Sequence, residues 1–217
     1  MAEPLKLVVV SAGLGKPSST RLLGDRLAEA TRRRLDEREV AVEAHTIELR
    51  DLAVDIAHNL VTGFPPPGLR AAIDTVVAAD ALVVVSPIFS ASYSGLFKSF
   101  FDVLDNTALI GKPVLIAATG GTARHSLALE HALRPLFAYL RATVVPTSVF
   151  VATDEWGTAA GEGVEGVGTR IARAGGELAD LVVGLPPHPA TRPASSATDA
   201  IDEVVPFAEQ LAALGRG

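Results

Sequence analysis

One stretch of the chain narrows its possible folds at once. It runs Ala81-Leu82-Val83-Val84-Val85, then Ser86-Pro87-Ile88-Phe89-Ser90-Ala91-Ser92-Tyr93-Ser94-Gly95, then Leu96-Phe97-Lys98-Ser99-Phe100-Phe101-Asp102. The first segment is short, apolar and rich in β-branched residues, the composition of a strand buried on both faces. The last, with Leu104, places apolar residues at 96, 97, 100, 101 and 104, the spacing of one helical face. The hydroxyl-rich middle is therefore a strand-to-helix connection, stiffened by Pro87 and opened to close backbone approach by Gly95. A strand buried on both faces needs helices on both faces, so a layered α/β architecture follows. In an open parallel sheet, connections at the carboxyl ends of strands are where ligands sit.

The same unit occurs near the start of the chain and again after residue 118. Residues 5–10 read as a central strand, followed by Ser11-Ala12-Gly13-Leu14-Gly15-Lys16-Pro17-Ser18-Ser19-Thr20-Arg21 and a helix marked by Leu22, Leu23, Leu27 and Ala30. Ser18-Ser19-Thr20 stands where an N-cap belongs. Hydroxyls beside the free N–H groups of a first helical turn equally suit a phosphate, so both roles are open. A Walker A loop is excluded because Lys16 precedes Pro17, and a dinucleotide fingerprint because Ser18 stands where a third glycine is required. The second strand, within 40–49, ends with only Glu48 and Asp51 as weak candidates to hold a ribose. A monophosphate fits better than a pyrophosphate. The third unit is the strand 114–118 followed by Thr119-Gly120-Gly121-Thr122-Ala123-Arg124-His125-Ser126, where paired glycines expose backbone N–H groups. Arg124 and His125 stand at the start of an expected helix, where positive charge is unfavourable unless an anion lies nearby.

Elsewhere, 50–68 reads as a connection, 69–79 as a helix, 127–140 as a long amphipathic helix interrupted by Pro135, and 143–151 as the fifth strand. His45 reads as an exposed residue of an edge strand, His131 as structural, and His58 and Asn59 as residues of the connection. Residues 154–168 form a long glycine-rich loop suited to a cover, and 169–183 a closing helix. This defines a domain over 1–184, with 185–217 a Pro/Ser-rich linker and a short C-terminal helix at 207–214.

Composition removes whole classes of function. The 217 residues are 48% hydrophobic and 20% charged, which suits one globular domain. A net charge of −6 leaves no basic stripe for nucleic acid. There is no cysteine, so disulfides, thiolate metal sites and thiol nucleophiles are absent, and no metal centre is expected. No apolar run reaches the roughly 18 residues of a membrane span. The N-terminus enters a strand without a charged leader, so a cytoplasmic protein is expected.

Five strands alternating with helices, with ligand loops after the first, third and fourth, predict a flavodoxin-like, doubly wound parallel sheet of order 2-1-3-4-5 in three layers. Gly13 to Thr20, Ser86-Pro87-Ile88-Phe89 with Ser94-Gly95-Leu96-Phe97-Lys98 and Asp102, and Gly120-Gly121 with Arg124-His125 resemble the NADPH-dependent FMN reductase family. The resemblance covers about residues 5–183 and is strongest to members that supply reduced flavin to a separate monooxygenase. It implies FMN as cofactor and NADPH or NADH as reductant. Ser11, Ser18, Ser19 and Thr20 would hold the FMN phosphate. Pro87, Ile88, Phe89 and Ser90 would run along the ring, with Thr119, Gly120, Gly121 and Thr122 closing its other side and Arg124 and His125 nearby. Phe89 stands where many relatives have Tyr, keeping the packing face without the phenol. Hydride transfer belongs to the cofactor, so no catalytic acid or base is expected. Lys98 and Asp102 read as an intrahelical pair. The resemblance also implies a homodimer or homotetramer, and the excess of phenylalanine at 97, 100 and 101 suits a subunit interface. Alternatives are an FMN-retaining quinone or azo-dye reductase, or a flavodoxin-type electron carrier.

Overall fold

The computed structural model describes residues 3–156 and 166–185. Most of the expected cover at 154–168, and the tail beyond 185 with its expected helix, lie outside the described residues. Strand β1 (Leu5–Ser11) is central and pairs in parallel with β2 (Val42–Glu48) and β3 (Ala81–Phe89). On the far side of β3 runs β5 (Pro113–Gly120), also parallel. The fifth position in the sheet is split into β6 (Thr143–Val144) and β7 (Val149–Ala152), both parallel to β5. With that position taken as one and the five parallel strands counted in chain order, the order is the expected 2-1-3-4-5.

The split has a local cause. Pro146 has no N–H to give to a ladder, and the strand leaves β5 there. The freed groups find other partners. Arg134 donates to the carbonyls of Val145 and Pro146 at 3.2 and 3.1 Å, and the Glu177 carboxylate accepts the Thr147 N–H and hydroxyl, both at 2.7 Å.

Alternate side chains of each central strand face opposite layers. Leu7, Val9, Val83, Val85, Leu115 and Ala117 pack against Leu23, Leu27 and Ala30 of α1 (Ser19–Asp36) and Ile171, Ala174 and Leu178 of α6 (Val167–Gly184). Val8, Val10, Leu82, Val84, Val114 and Ile116 face the other layer. That layer contains α2 (Ala53–Thr62), α3 (Pro67–Ala78), α4 (Gly95–Asp102) and α5 (Arg134–Tyr139).

Four local expectations need correction. The connection at 50–68 contains a 3₁₀ turn, Leu49–Leu52, and then the full helix α2, which ends at Gly63 in the left-handed region at φ 76°. The stretch after β3 is not all loop. Ser90 and Ala91, at φ 48° and 67°, turn the chain back into β4 (Ser92–Tyr93), antiparallel to the end of β3. The helix expected at 127–140 is a π-helical turn, Leu129–Leu133, followed by α5, with Pro135 in the first turn of α5 where its missing N–H is tolerated. Finally, Phe97, Phe100 and Phe101 are buried within the single chain, at 0, 0 and 2% exposure. Phe101 is the hub of an aromatic cluster, with ring centroids 4.8 Å from Phe97, 5.4 Å from Phe100 and 5.0 Å from Phe137. The aromatic excess on α4 builds core, not a subunit interface.

Candidate flavin site

Three connections meet at the carboxyl edge of the sheet: 12–18 after β1, the β3–β4 hairpin, and 121–126 after β5. Between them lies an open cleft of about 260 Å³. The first connection supplies Leu14, Gly15, Pro17 and Ser18, and the start of α1 adds Ser19 and Thr20. Pro87, Ile88 and Phe89 come from β3, and Thr119, Gly120 and Gly121 from the end of β5 and the residue after it. A fourth wall is made by Val151, Thr153 and Trp156; Trp156 belongs to the 154–168 stretch read as a cover, whereas Val151 and Thr153 are not expected at the site.

The first loop is held in a defined shape. Ser18 is the N-cap of α1, its hydroxyl oxygen accepting the Arg21 N–H at 3.1 Å. Gly13 makes this possible, because a Cβ there would stand 2.1 Å from Ser18 Oγ. The capping role is thus realised, yet it uses only acceptor capacity, and the Ser18 O–H proton stays available to an anion. Ser19 is exposed at the mouth, and the N–H groups of Ser19 and Thr20 belong to the first turn, which has no intrahelical acceptor for them. Thr20 is buried, its hydroxyl 2.8 Å from that of Thr119, which ties the first loop to the third. Ser11 is also buried and lies behind the loop, its Oγ accepting the Gly13 N–H at 3.5 Å.

Of the two acidic residues weighed as ribose holders, Glu48 is already engaged. Glu48 accepts from Arg21 at 2.8 Å and is ion-paired with Arg50 at 2.5 Å, and Arg50 also donates to the Gly15 carbonyl at 2.5 Å. The end of β2 therefore braces the first loop instead of offering a carboxylate to a second nucleotide. A hollow of about 280 Å³ between β2 and α3, bordered by His45, Glu48, Asp51 and Thr75, is reached by none of the three ligand loops.

The middle hairpin is fixed by two serines. Ser86 Oγ accepts the Ser94 N–H at 3.0 Å and donates to the Pro87 carbonyl at 2.9 Å, while Ser94 caps α4 through Phe97 N–H at 3.2 Å. This leaves Phe89 half exposed on the cleft side, while Ser90, at the hairpin tip, is exposed and does not line the cleft. In the third loop, Gly120 sits over the Phe150 ring, where a Cβ would approach Cζ to 2.8 Å. A Cβ at Gly121 would meet nothing within 4 Å, so the backbone there is open to a ligand.

Thr122, Arg124 and His125 are not brought to the cleft. Thr122 caps a single 3₁₀ turn, Ala123–His125, by accepting the Arg124 N–H at 3.4 Å, and Arg124 is exposed. Neither His58, which is exposed, nor the buried Asn59 on α2 reaches it. Lys98 and Asp102 form the expected exposed pair, 2.5 Å apart, and the carboxylate raises the lysine pKa. The residues lining the cleft carry no formal charge. One end offers hydroxyls and helix N–H groups; the rest is apolar side chain and backbone. That is the donor set for a monoester phosphate attached to a flat, largely apolar ring.

The sequence profile of the NADPH-dependent FMN reductases matches residues 5–157. The chain belongs to this family. An FMN reductase (NADPH) of Pseudomonas aeruginosa is 41% identical over 150 residues, 69% of this chain and 78% of the relative. The NADH-dependent FMN reductase SfnF of Pseudomonas fluorescens is 40% identical over the same shares. Among solved structures, an oxidoreductase from Corynebacterium diphtheriae superposes with a TM-score of 0.80 at 48% identity, covering 85% of this chain and all of the other. The apo form of an NADH:FMN oxidoreductase, EmoB, gives 0.69 at 29% identity over 87% of this chain and 94% of that one. As a member of the FMN reductase family, the chain has its cleft where flavodoxin-like sheets bind ligands, at the reversal of strand order between β1 and β3.

Proposed function

We propose that this protein is a cytoplasmic NAD(P)H-dependent FMN reductase that supplies reduced flavin to a partner monooxygenase. The observation that carries this is the convergence of three loops on one uncharged cleft with a hydroxyl-lined helix N-terminus at its end, in a chain of this family. FMN held here would supply the hydride-accepting chemistry toward a reduced nicotinamide. The chain's own residues bind and orient. Ser18 and Ser19 hydroxyls and the N–H groups of Ser19 and Thr20 hold the phosphate. Pro87, Ile88 and Phe89 support the ring on one side, and the Gly120–Gly121 backbone faces it from the other. With no acid or base among the lining residues, positioning is the protein's main contribution to rate.

Residues 1–184 form the reductase unit in this reading, with the Pro/Ser-rich segment 185–217 outside it. Assembly into a dimer or tetramer would use apolar surface outside α4, and Val54, Val61 and Phe64, at 81, 88 and 76% exposure, offer it. The decisive experiment is steady-state oxidation of NADPH and NADH with FMN, FAD and riboflavin as separate substrates. Turnover of free FMN without any added reductase supports the proposal. No oxidation with any flavin overturns it, and a tightly retained flavin reducing only quinones or azo dyes would favour the FMN-retaining alternative.

A further inference from the structure

Two hydroxyls in the cleft leave one hydrogen without an acceptor. Side chains alternate along β5, so Thr119, two residues after Ala117, points to the same α1/α6 layer. There it meets Thr20 in the first turn of α1, the two Oγ1 atoms lying 2.8 Å apart. Gly13 leaves the room for Thr20, since a Cβ at 13 would come to 3.0 Å from Thr20 Cβ. Both threonines line the cleft and are otherwise enclosed, at 3 and 5% exposure. Neither hydroxyl has a second partner among the described residues.

Each threonine brings one hydrogen and two lone pairs. Only one hydrogen fits the gap between the two oxygens, so the other is left over, and a buried donor without an acceptor is costly. The pair therefore has two states. Either Thr119 donates to Thr20 and the Thr20 hydrogen is spare, or Thr20 donates to Thr119 and the Thr119 hydrogen is spare. No other protein group bonded to the pair selects between them. A ligand in the cleft does. Toward a phosphate dianion at the first turn of α1, which only accepts, Thr20 must donate. Thr119 is then committed to Thr20 and faces the rest of the cleft with lone pairs alone.

Resting on the flavin assignment above, we propose that Thr20 and Thr119 form a two-hydroxyl relay that couples the phosphate end of the cleft to its third-loop side. Thr119 is the positioning residue. It orients the Thr20 hydroxyl and strengthens its donation, because a hydroxyl that accepts one hydrogen bond donates the next one better. The same hydrogen count sets what Thr119 itself can bind. With a phosphate in place, its oxygen suits an N–H or O–H of the ligand and rejects a carbonyl. With none, both states stay open. Occupancy at α1 thus fixes the hydrogen-bond polarity at β5, across two elements joined here by a single bond between side chains.

The test is equilibrium titration of FMN and of riboflavin, which lacks the phosphate, read by flavin fluorescence beside a thermal melt. The ratio of the two affinities is followed in wild type, Thr20→Val, Thr119→Val, Thr119→Ser and the double valine variant. Wild type should bind FMN at least about thirtyfold tighter than riboflavin. Thr20→Val should lower that ratio about tenfold, through loss of one hydrogen bond to a charged group. Thr119→Val should lower it about fivefold, because Thr20 loses its donor and its fixed orientation, whereas riboflavin loses only neutral bonds. With valine already at 20, the same change should move the ratio less than about twofold. Valine keeps the shape of threonine and serine keeps its hydroxyl. A packing role therefore predicts loss in Thr119→Ser, and the relay predicts the wild-type ratio there. Thr119→Ala takes the place of Thr119→Val should the valine variant not fold. The proposal is overturned by a ratio unmoved or raised when the Thr119 hydroxyl is removed, or by an equal effect of that removal with and without the Thr20 hydroxyl. Equal wild-type affinity for the two flavins also overturns it. Failure of the reductase assignment looks different: the wild type would then bind neither flavin and oxidise no nicotinamide with either.

Discussion

Arg50 reaches across from the end of β2 and donates through Nη1 to the carbonyl of Gly15 at 2.5 Å, while its Nη2 holds Glu48 at the same distance. This contact fixes the peptide plane of the glycine-rich loop from outside the cleft, and it needs the two-pronged geometry of a guanidinium. Arg50→Ala should cost about 1–2 kcal/mol, the worth of a partly buried charge-assisted bond. FMN affinity should fall roughly three- to tenfold because the loop loses its preorganisation. Arg50→Lys should recover little of either, since an ammonium cannot span both acceptors. Calorimetry and fluorescence titration check this, and unaltered FMN binding in Arg50→Ala would show that the loop holds its shape alone.

Phe101 tests the assignment of α4 to the core. Its ring is nearly inaccessible and meets three other phenylalanines. Phe101→Ala should destabilise the chain by about 3–5 kcal/mol, the range for a buried aromatic. Phe101→Glu should prevent folding, because a carboxylate there has no partner and no water. Urea unfolding measures the first and circular dichroism the second. A variant that stays folded but changes its mass in light scattering would return α4 to an interface.

Most of the sheet was legible in the sequence because burial on both faces writes apolar runs at 81–85 and 114–118 and, broken only by Lys6, at 5–10, and hydroxyl- and glycine-rich stretches follow each. What failed to show were features without a periodic or turn signal. Helix α2 exposes Val54, Leu60 and Val61 and buries only Ile56 and Asn59, so its apolar residues do not mark its buried face, and no side chain caps its start. The β3–β4 turn uses Ser90 and Ala91 in left-handed conformations that usually call for Gly or Asn. The excess of phenylalanine on α4 was visible, but not that Phe137 from a distant segment would pack against it. In the site, the loops after β1, β3 and β5 were found from composition. Trp156 was legible only as part of a stretch suited to a cover; its place in the cleft depends on how the exit of the fifth strand is pinned, which no local pattern records.

Lys112 gives a pH signature. It is fully buried, donates through Nζ to the carbonyls of Val77 and Ala79 at the end of α3, and has its pKa pushed down to about 8 by burial, against an opposing pull from Asp80. The unfolded chain keeps this proton up to about 10.5. Between these values the unfolded state binds more protons, so this group makes stability rise with pH and contributes a constant penalty below about 8. Other groups also titrate in that range, so the measurement is the difference between wild type and Lys112→Met. Wild type should gain on the variant by up to about 3 kcal/mol from pH 8 to 10.5, at 1.36 kcal/mol per pKa unit. A difference independent of pH would mean that the lysine titrates normally in the folded state.

Ser18 is both the cap of α1 and a candidate phosphate ligand, and one substitution separates the two. Asp caps a helix about as well as Ser, whereas Ala loses about 1 kcal/mol of capping. Ser18→Asp should therefore keep the thermal stability that Ser18→Ala loses. A carboxylate at this position would stand within a few ångströms of a phosphate held by Ser19 and the first-turn N–H groups. Unit like charges about 4 Å apart repel by roughly 4 kcal/mol at an effective dielectric near 20. Discounted severalfold for solvent and side-chain movement, that still predicts a loss of FMN affinity of about tenfold or more in Ser18→Asp. Riboflavin has no phosphate and should bind the variant as it binds wild type. Titration with both flavins beside a thermal melt reads the result. FMN binding lost with the melt and riboflavin binding kept places the phosphate at Ser18; equal binding of both flavins leaves Ser18 a helix cap and moves the phosphate elsewhere.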